Sequence, residues 1–382
     1  MSPVIETPLG EAPAAGVADT EAALHAIADE MIRRAAEAAP MISCETGKPI
    51  AQAQREWRLS VDQFRWLAQE ARRIYGRIIE SRVPGGRFEV SHEPVGIAAA
   101  FTAWNFPAAL IARKVAPALT PGCPVIVRPS SQMPGLAMVM VDCCRAGNLP
   151  AGAVNLVAGP TNANYAPIMA SKAVRKVSLT GSTQVGQQMI RDAADAMKKV
   201  SMELGGNAQL IVNDDADLET ALNVTVATKY ANAGQVCVTP DRLFVHASLH
   251  DAFVEGFAAR ARAIKLSDKL DESVSMGPPI NGRRLRKIES VVQDAVRGGA
   301  RLVTGGVRLS AFNAGHFFEP VVLCNTPMTW RRSPRRTSAP SPRSRASALT
   351  TRRWSAPTPA TGASRPTPSP ARPRGQGARW PS

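Results

Sequence analysis

At 382 residues the chain is long enough for two or three domains with a full core. Lys and Arg number 46 against 31 Asp and Glu, for a formal net charge of +15. Twelve of those cations are arginines in residues 329–382, a stretch without Asp, Glu or Lys, so removing them leaves +3 for residues 1–328. That is an ordinary balance, and it argues against nucleic-acid binding by the body of the chain. Cys44, Cys123, Cys143, Cys144, Cys237 and Cys324 form no CxxC pair, so no metal site is expected. Met1–Asp19 lacks a basic start followed by an apolar core, and nowhere do eighteen apolar residues run together. Neither a signal peptide nor a membrane span is expected, and free thiols fit a cytoplasmic location.

In chain order, residues 1–19 read as an extended arm and Thr20–Ala38 as a helix, with Leu24, Ile27, Ala28 and Met31 at helical spacing. Ala51–Tyr75 reads as a second helix, and Arg82–Val95, with Pro84-Gly-Gly86, as a hairpin. From Gly96 short apolar strands alternate with helices. The predicted strands are Gly96–Thr102, Cys123–Val127, Ala153–Val157, Val174–Leu179 and Val200–Leu204. The helices between them are Ala108–Leu119, Gly135–Arg145, Tyr165–Ser171 and Val185–Ala196. Such repetition predicts an α/β fold with a parallel sheet covered on both faces, which binds ligands at the carboxyl ends of its strands. A second α/β run follows, with strands Gln209–Val212, Leu243–His246, Arg301–Thr304 and Phe317–Leu323 and helices Leu218–Tyr230, Asp251–Leu266 and Arg283–Val296. Residues 329–382 hold ten Pro and no Ile, Val, Phe or Asn, and read as a disordered Arg/Pro-rich tail.

Four segments carry chemistry. Lys199–Arg242 offers a carboxylate, Glu203, at a strand end and a thiol, Cys237, in a Gly-flanked turn. A thiolate attacks carbonyls and a carboxylate moves protons, although a lone Cys is more often a small buried hydrophobe. Asn105, in Phe101-Thr-Ala-Trp-Asn-Phe-Pro107, is either a donor to an oxyanion or a cap on the helix that follows. Leu179-Thr-Gly-Ser-Thr-Gln-Val-Gly186 joins a strand to a helix and lets backbone N–H groups approach a phosphate. It matches neither GxGxxG nor a P-loop. Arg128-Pro-Ser-Ser131 is a fourth strand end, read either as a ribose or phosphate contact or as a surface turn.

In this order and spacing the segments resemble the aldehyde dehydrogenase superfamily over roughly Thr20–Met328, supported by Glu45-Thr-Gly-Lys-Pro49 and Gly147-Asn-Leu-Pro-Ala-Gly-Ala-Val-Asn155. The resemblance implies a Rossmann-like cofactor domain (1–81 and 96–205), an oligomerisation hairpin (82–95) and an α/β catalytic domain (206–328, incomplete). It implies Cys237 as nucleophile toward an aldehyde, Asn105 with the Cys237 N–H as oxyanion donors, and Glu203 as the base that activates water against a thioester. Thr102, Trp104, Arg128, Ser131, Gly181, Ser182, Val185, Gly186, Leu204 and Gly205 fall at cofactor positions. Ser131 stands where NAD-preferring members often carry Glu, so the cofactor is NAD or NADP with a lean to NADP. Ile111-Ala-Arg113-Lys-Val-Ala-Pro is similar to the succinate-semialdehyde dehydrogenase group, in which the residue matching Arg113 binds the substrate carboxylate. A second Arg of that group is Ala231 here, the second cysteine is Thr239, and Arg113 reads equally as a surface charge. A homodimer or homotetramer is the family expectation.

The pattern breaks at Met328, where the family continues with Glu-Glu-x-Phe-Gly-Pro. One choice of codons for Met328–Pro340, read two bases on, restores Asp-Val-Ala-Ala-Lys-Pro-Glu-Glu-Asn-Phe-Gly-Pro. The expectation is therefore that the reading frame slips near Met328, that the tail is out-of-frame, and that the chain turns over little or no aldehyde. The N-terminal side also reads as shorter than the family's. The competing reading is an inactive scaffold whose Arg-rich tail binds nucleic acid or a membrane surface.

Overall fold

The computed structural model describes residues 17–206, 208–267, 270–309, 311–312 and 315–326, together with the backbone of 348–354. Three helices come first: α1 (Val17–Arg33), α2 (Ala35–Thr46) and α3 (Ile50–Glu70). The predicted helix Thr20–Ala38 is thus two helices, bent at Arg34. The alanine-rich run that follows has no apolar period to mark a bend. Arg34 there reaches both Glu37 and, on a later helix, Asp142 at 2.7 Å. Gly47, with φ +76°, ends α2 in the left-handed conformation. Trp57 is buried in α3, and its indole donates to the Met31 carbonyl at 2.7 Å, locking α3 onto α1.

The hairpin consists of β1 (Arg77–Glu80) and β2 (Arg87–Val90), paired antiparallel. Its first strand lies before the predicted start at residue 82. All four residues of β1 are exposed, so no burial alternation marks it in the sequence.

The central unit is a five-stranded, wholly parallel sheet of β3 (Ile97–Phe101), β4 (Val125–Arg128), β5 (Val154–Leu156), β6 (Val174–Thr180) and β7 (Lys199–Glu203), in the order β5-β4-β3-β6-β7. Counted from its own first strand this is 3-2-1-4-5, the Rossmann order, whose ligand crevice opens where the order reverses, between β3 and β6. Strand alternation builds two cores. Ala98, Ala100, Val125 and Val127 pack against α1–α3, α4 (Pro107–Leu119) and α5 (Pro134–Cys143). Ala99, Phe101 and Ile126 face the opposite way, toward α6 (Thr161–Ala170) and α7 (Thr183–Ala194).

The second sheet runs β10-β11-β12-β9-β8, from β8 (Ala208–Val212), β9 (Pro240–His246), β10 (Arg301–Thr304), β11 (Val321–Cys324) and β12 (Ala348–Trp354). It packs against α8 (Leu218–Lys229), α9 (His250–Arg262) and α10 (Gly282–Arg297) through Leu243, Val245, Phe253 and Phe257 on one side and Leu285, Ile288 and Leu323 on the other. The predicted strand from Phe317 begins only at Val321, after an isolated bridge between Phe318 and Arg308. Of the tail, the structure describes the backbone of β12, parallel to β11 and to β9. The extended arm, the frame slip near Met328 and the rest of the tail lie outside the described residues, Val17–Asp19 of α1 excepted. Among the described residues no helix is long and apolar enough to cross a membrane.

Candidate active site

Cys237 sits in the loop that joins α8 to β9. The base of that loop is closed by Lys229, whose side chain is fully buried and donates to the Pro240 carbonyl at 3.2 Å, with the Asp241 carboxylate at 3.5 Å. Within it Asn232, Ala233 and Gly234 have φ of 47, 53 and 73°, three left-handed residues in a row. Two of them carry a Cβ, so neighbours must hold the conformation. Gln52 of α3 accepts from the Asn232 N–H at 2.8 Å. The Gln235 side chain donates to the Asn232 carbonyl and accepts from the Ile280 N–H, both at 3.0 Å. Cys237 is exposed, whereas burial pushes the thiols of Cys143 and Cys144 up to about 11 and about 12. A thiol so buried is inert, and of the six cysteines only Cys44 and Cys237 are exposed.

Asn105 lies between β3 and α4, 130 residues away in sequence, and its amide donates to the Gln235 carbonyl at 2.9 Å. Its own carbonyl accepts from Asn232 Nδ2 at 2.9 Å and from Lys48 Nζ at 3.0 Å. Lys48 forms a fully buried ion pair with Glu56 and lies 3.9 Å from the centre of the Phe106 ring. Burial pulls the Lys48 ammonium down and the Glu56 carboxylate opposes that shift. The other Glu56 oxygen accepts from the N–H groups of Ala108 and Ala109 at 2.9 and 3.2 Å, capping α4.

Glu203 ends β7, and its carbonyl accepts from the Gly181 N–H at 3.0 Å. Glu203 and Cys237 line one cavity of about 670 Å³ beneath α4, with Arg113, Lys114, Lys176 and Ser178. Lys114 is buried and donates to Ser178 Oγ at 2.8 Å. Burial pushes its ammonium down to about 8, against the pull of the Glu203 carboxylate and with a smaller push from Lys176. Arg113 is exposed at the same cavity. With Glu93 and Cys123 also on its wall, two thiols, two carboxylates and three cations line this one space.

The Rossmann crevice adjoins this cavity. Thr102 and Thr180, at the carboxyl ends of β3 and β6, have buried hydroxyls without a hydrogen-bond partner. Ser182 caps α7 by accepting from the Val185 N–H at 3.3 Å. A Cβ on Gly186 would lie 2.6 Å from Leu204, so glycine there lets α7 press on the end of β7. Val185, Gly205 and Ser131 are exposed, and Trp104, Gly181 and Leu204 are half-buried. Arg128 is buried and donates to the carbonyls of Pro129 and Gly159 at 2.8 and 3.1 Å. Orphaned hydroxyls beside a capped helix N-terminus at the switch point fit a nicotinamide dinucleotide. Among the described residues no group of three His, Cys, Asp or Glu side chains is arranged to hold a metal.

A family model described as the aldehyde dehydrogenase family matches residues 11–332. The chain belongs to the aldehyde dehydrogenase family. It is 40% identical over 299 residues to a glutarate-semialdehyde dehydrogenase of Pseudomonas putida, covering 78% of this chain and 62% of that one. To a succinate-semialdehyde dehydrogenase (NADP(+)) of Escherichia coli it is 38% identical over 310 residues, covering 81% and 64%. A crystal structure of succinate-semialdehyde dehydrogenase from Burkholderia pseudomallei superposes with a TM-score of 0.84 at 36% identity, over 90% of this chain and 69% of that one. The chain therefore spans less than two thirds of the length of these curated relatives.

Sequence reasoning assigned no role to Lys48, Gln52, Glu56, Lys114, Asn232 or Gln235. One signal was present. Glu56 falls in the stripe Ala53-Glu56-Trp57-Ser60-Phe64 that α3 buries, and a carboxylate in an apolar stripe requires a partner.

Proposed function

We propose that this chain carries the site for NAD(P)-dependent oxidation of an aldehyde bearing a distal carboxylate, with Cys237 as nucleophile. The observation that supports it is the shared cavity: an exposed thiol and Glu203 on facing elements, with Asn105 tied to the thiol's loop. Cys237 adds to the carbonyl carbon. The Asn105 amide has two N–H donors and spends one on Gln235, leaving the other, with the Cys237 N–H, for the developing oxyanion. The chemistry that a nicotinamide dinucleotide supplies when bound is acceptance of a hydride. Thr102, Trp104, Gly181, Ser182, Val185, Gly186, Leu204 and Gly205 would hold it, with Arg128 and Ser131 on the adenosine side. Glu203 takes a proton from the water that releases the acid. Arg113, at the cavity with two lysines, orients a carboxylate on the substrate, in keeping with the names of the relatives. The hairpin joins copies of the chain.

The test separates chemistry from turnover. Succinate or glutarate semialdehyde is mixed with the purified chain and each dinucleotide, and the protein is followed by intact mass spectrometry while reduced cofactor is followed by absorbance. Glu203→Gln is expected to accumulate an acyl adduct on Cys237, and Cys237→Ala to form none. An adduct that survives Cys237→Ala rejects the assignment. Steady turnover at ordinary enzyme rates, about 1–1,000 per second, rejects instead the expectation of an impaired chain.

A further inference from the structure

The mechanism above needs one Asn105 N–H aimed at an oxyanion, yet Asn105 lies in a connection between β3 and α4. Its backbone carbonyl is gripped from two sides: by Lys48 at 3.0 Å and by Asn232 at 2.9 Å. Lys48 is itself held by Glu56, both side chains almost wholly inaccessible, and Glu56 pins the first N–H groups of α4. Asn232 belongs to the left-handed run that leads to Cys237. The grip therefore ties the donor, the helix behind it and the nucleophile's loop to a single carbonyl oxygen. A buried ion pair is seldom worth much for stability, and apolar residues of similar volume often do as well. Its placement here, on the carbonyl of the oxyanion donor, has a use that stability does not supply.

We propose that Lys48, Glu56 and Asn232 are positioning residues: they clamp the Asn105 carbonyl so that its side-chain amide meets the oxyanion formed at Cys237. This rests on the reading of Cys237 as nucleophile and Asn105 as donor. Preorganised donors act only if they are held where charge develops, and a displacement of about 1 Å can cost about a hundredfold in rate.

Two reagents distinguish positioning from mere folding, and neither needs a cofactor. Iodoacetamide alkylates a thiolate by displacement and makes no oxyanion. p-Nitrophenyl acetate acylates the thiolate through a tetrahedral oxyanion and expels p-nitrophenolate. Lys48→Met combined with Glu56→Gln removes both charges at near-constant shape. It is expected to slow nitrophenolate release about ten- to a hundredfold, while alkylation of Cys237, read by peptide mass spectrometry, stays within about twofold. Asn232→Gly keeps the left-handed backbone, removes the other half of the clamp and is expected to show the same split. It carries the test if the double variant does not fold. Unchanged acylation in the folded variants overturns the proposal, and so does an equal loss of acylation and alkylation. If the unsubstituted chain releases no more nitrophenolate than Cys237→Ala, the underlying reading fails and the clamp falls with it. If it does release more and the variants match it, only the clamp is wrong.

Discussion

A buried ammonium beside a carboxylate is a compromise that pH reveals. Lys114 sits with its folded value near 8, below the ordinary 10.5 of the free side chain, chiefly through burial. Below that folded value the lysine is charged in both folded and unfolded chains, and burial of the charge destabilises the fold in full. Between the two values the unfolded chain binds more protons, so stability rises with pH across that window. Lys114→Met escapes the burden. The difference in melting temperature between variant and parent should move toward the parent on going from about pH 7 to about pH 10; a pH-independent difference would contradict this. At the proposed adenosine side, Ser131 is exposed and would bring no negative charge to a 2′-phosphate. Ser131→Glu is expected to lower the NADP-to-NAD ratio of affinities by about tenfold or more, measured by fluorescence titration of the free chain with each dinucleotide.

The elements that cover the Rossmann sheet are held by acids from the N-terminal helices. Glu56 of α3 caps α4, and Glu45 of α2 accepts from the N–H groups of Gly135 and Leu136 at 2.8 and 3.1 Å, capping α5. Glu45→Ala should cost about 1–2 kcal/mol in urea denaturation, as loss of a helix cap does, with an unchanged slope. The same N-terminal helices meet the second sheet's connections. A Cβ on Gly277 would lie 1.7 Å from the Gly47 carbonyl oxygen, and Gln52 reaches the Ser275 carbonyl at 3.2 Å. Gly277→Ala forces those backbones apart and is expected to destabilise by about 3 kcal/mol in the same measurement. The motif Glu45-Thr-Gly-Lys-Pro49 thus acts three times over: as a cap, as a close backbone contact and as one arm of the clamp on Asn105.

At the scale of the whole molecule, β1 and β2 stand apart from both large sheets, and an isolated two-stranded ribbon is marginal in water. Ile79 faces Phe88 across their ladder, 41% and 60% exposed. In the proposed assembly, this open apolar pair is the surface that a second copy would cover. Ile79→Lys with Phe88→Glu keeps a favourable cross-strand pair and removes the apolar one, and sedimentation velocity should then show a smaller species than the parent. The tail poses a separate question, answered at the level of the gene: an alternative frame from about codon 328 is expected to restore Glu-Glu-x-Phe-Gly-Pro. Its absence from both other frames would reject the frame slip.

Periodicity along single elements determined much of this protein. The near-continuous apolar runs within the predicted strands Gly96–Thr102 and Cys123–Val127 announced strands buried on both faces, and their alternation with helices announced the parallel sheet. Cys237, Glu203 and Asn105 stood out as residue types at strand and loop ends. What periodicity could not carry was any pairing across the chain. Lys48 and Asn105 are 57 residues apart, Gln52 and Asn232 are 180, and β12 joins a ladder with partners on either side of it in space. A local pattern records which face of an element is buried, but not what it is buried against. The partner of a buried charge, the strain of Asn232 and Ala233, and the orphaned hydroxyls of Thr102 and Thr180 exist only once distant elements have packed. The sequence by itself determined which side chains are the candidates for thiol chemistry on an aldehyde. Tertiary packing alone decided which of them meet, because hydrogen bonds and ion pairs act over a few ångströms of space and ignore distance along the chain.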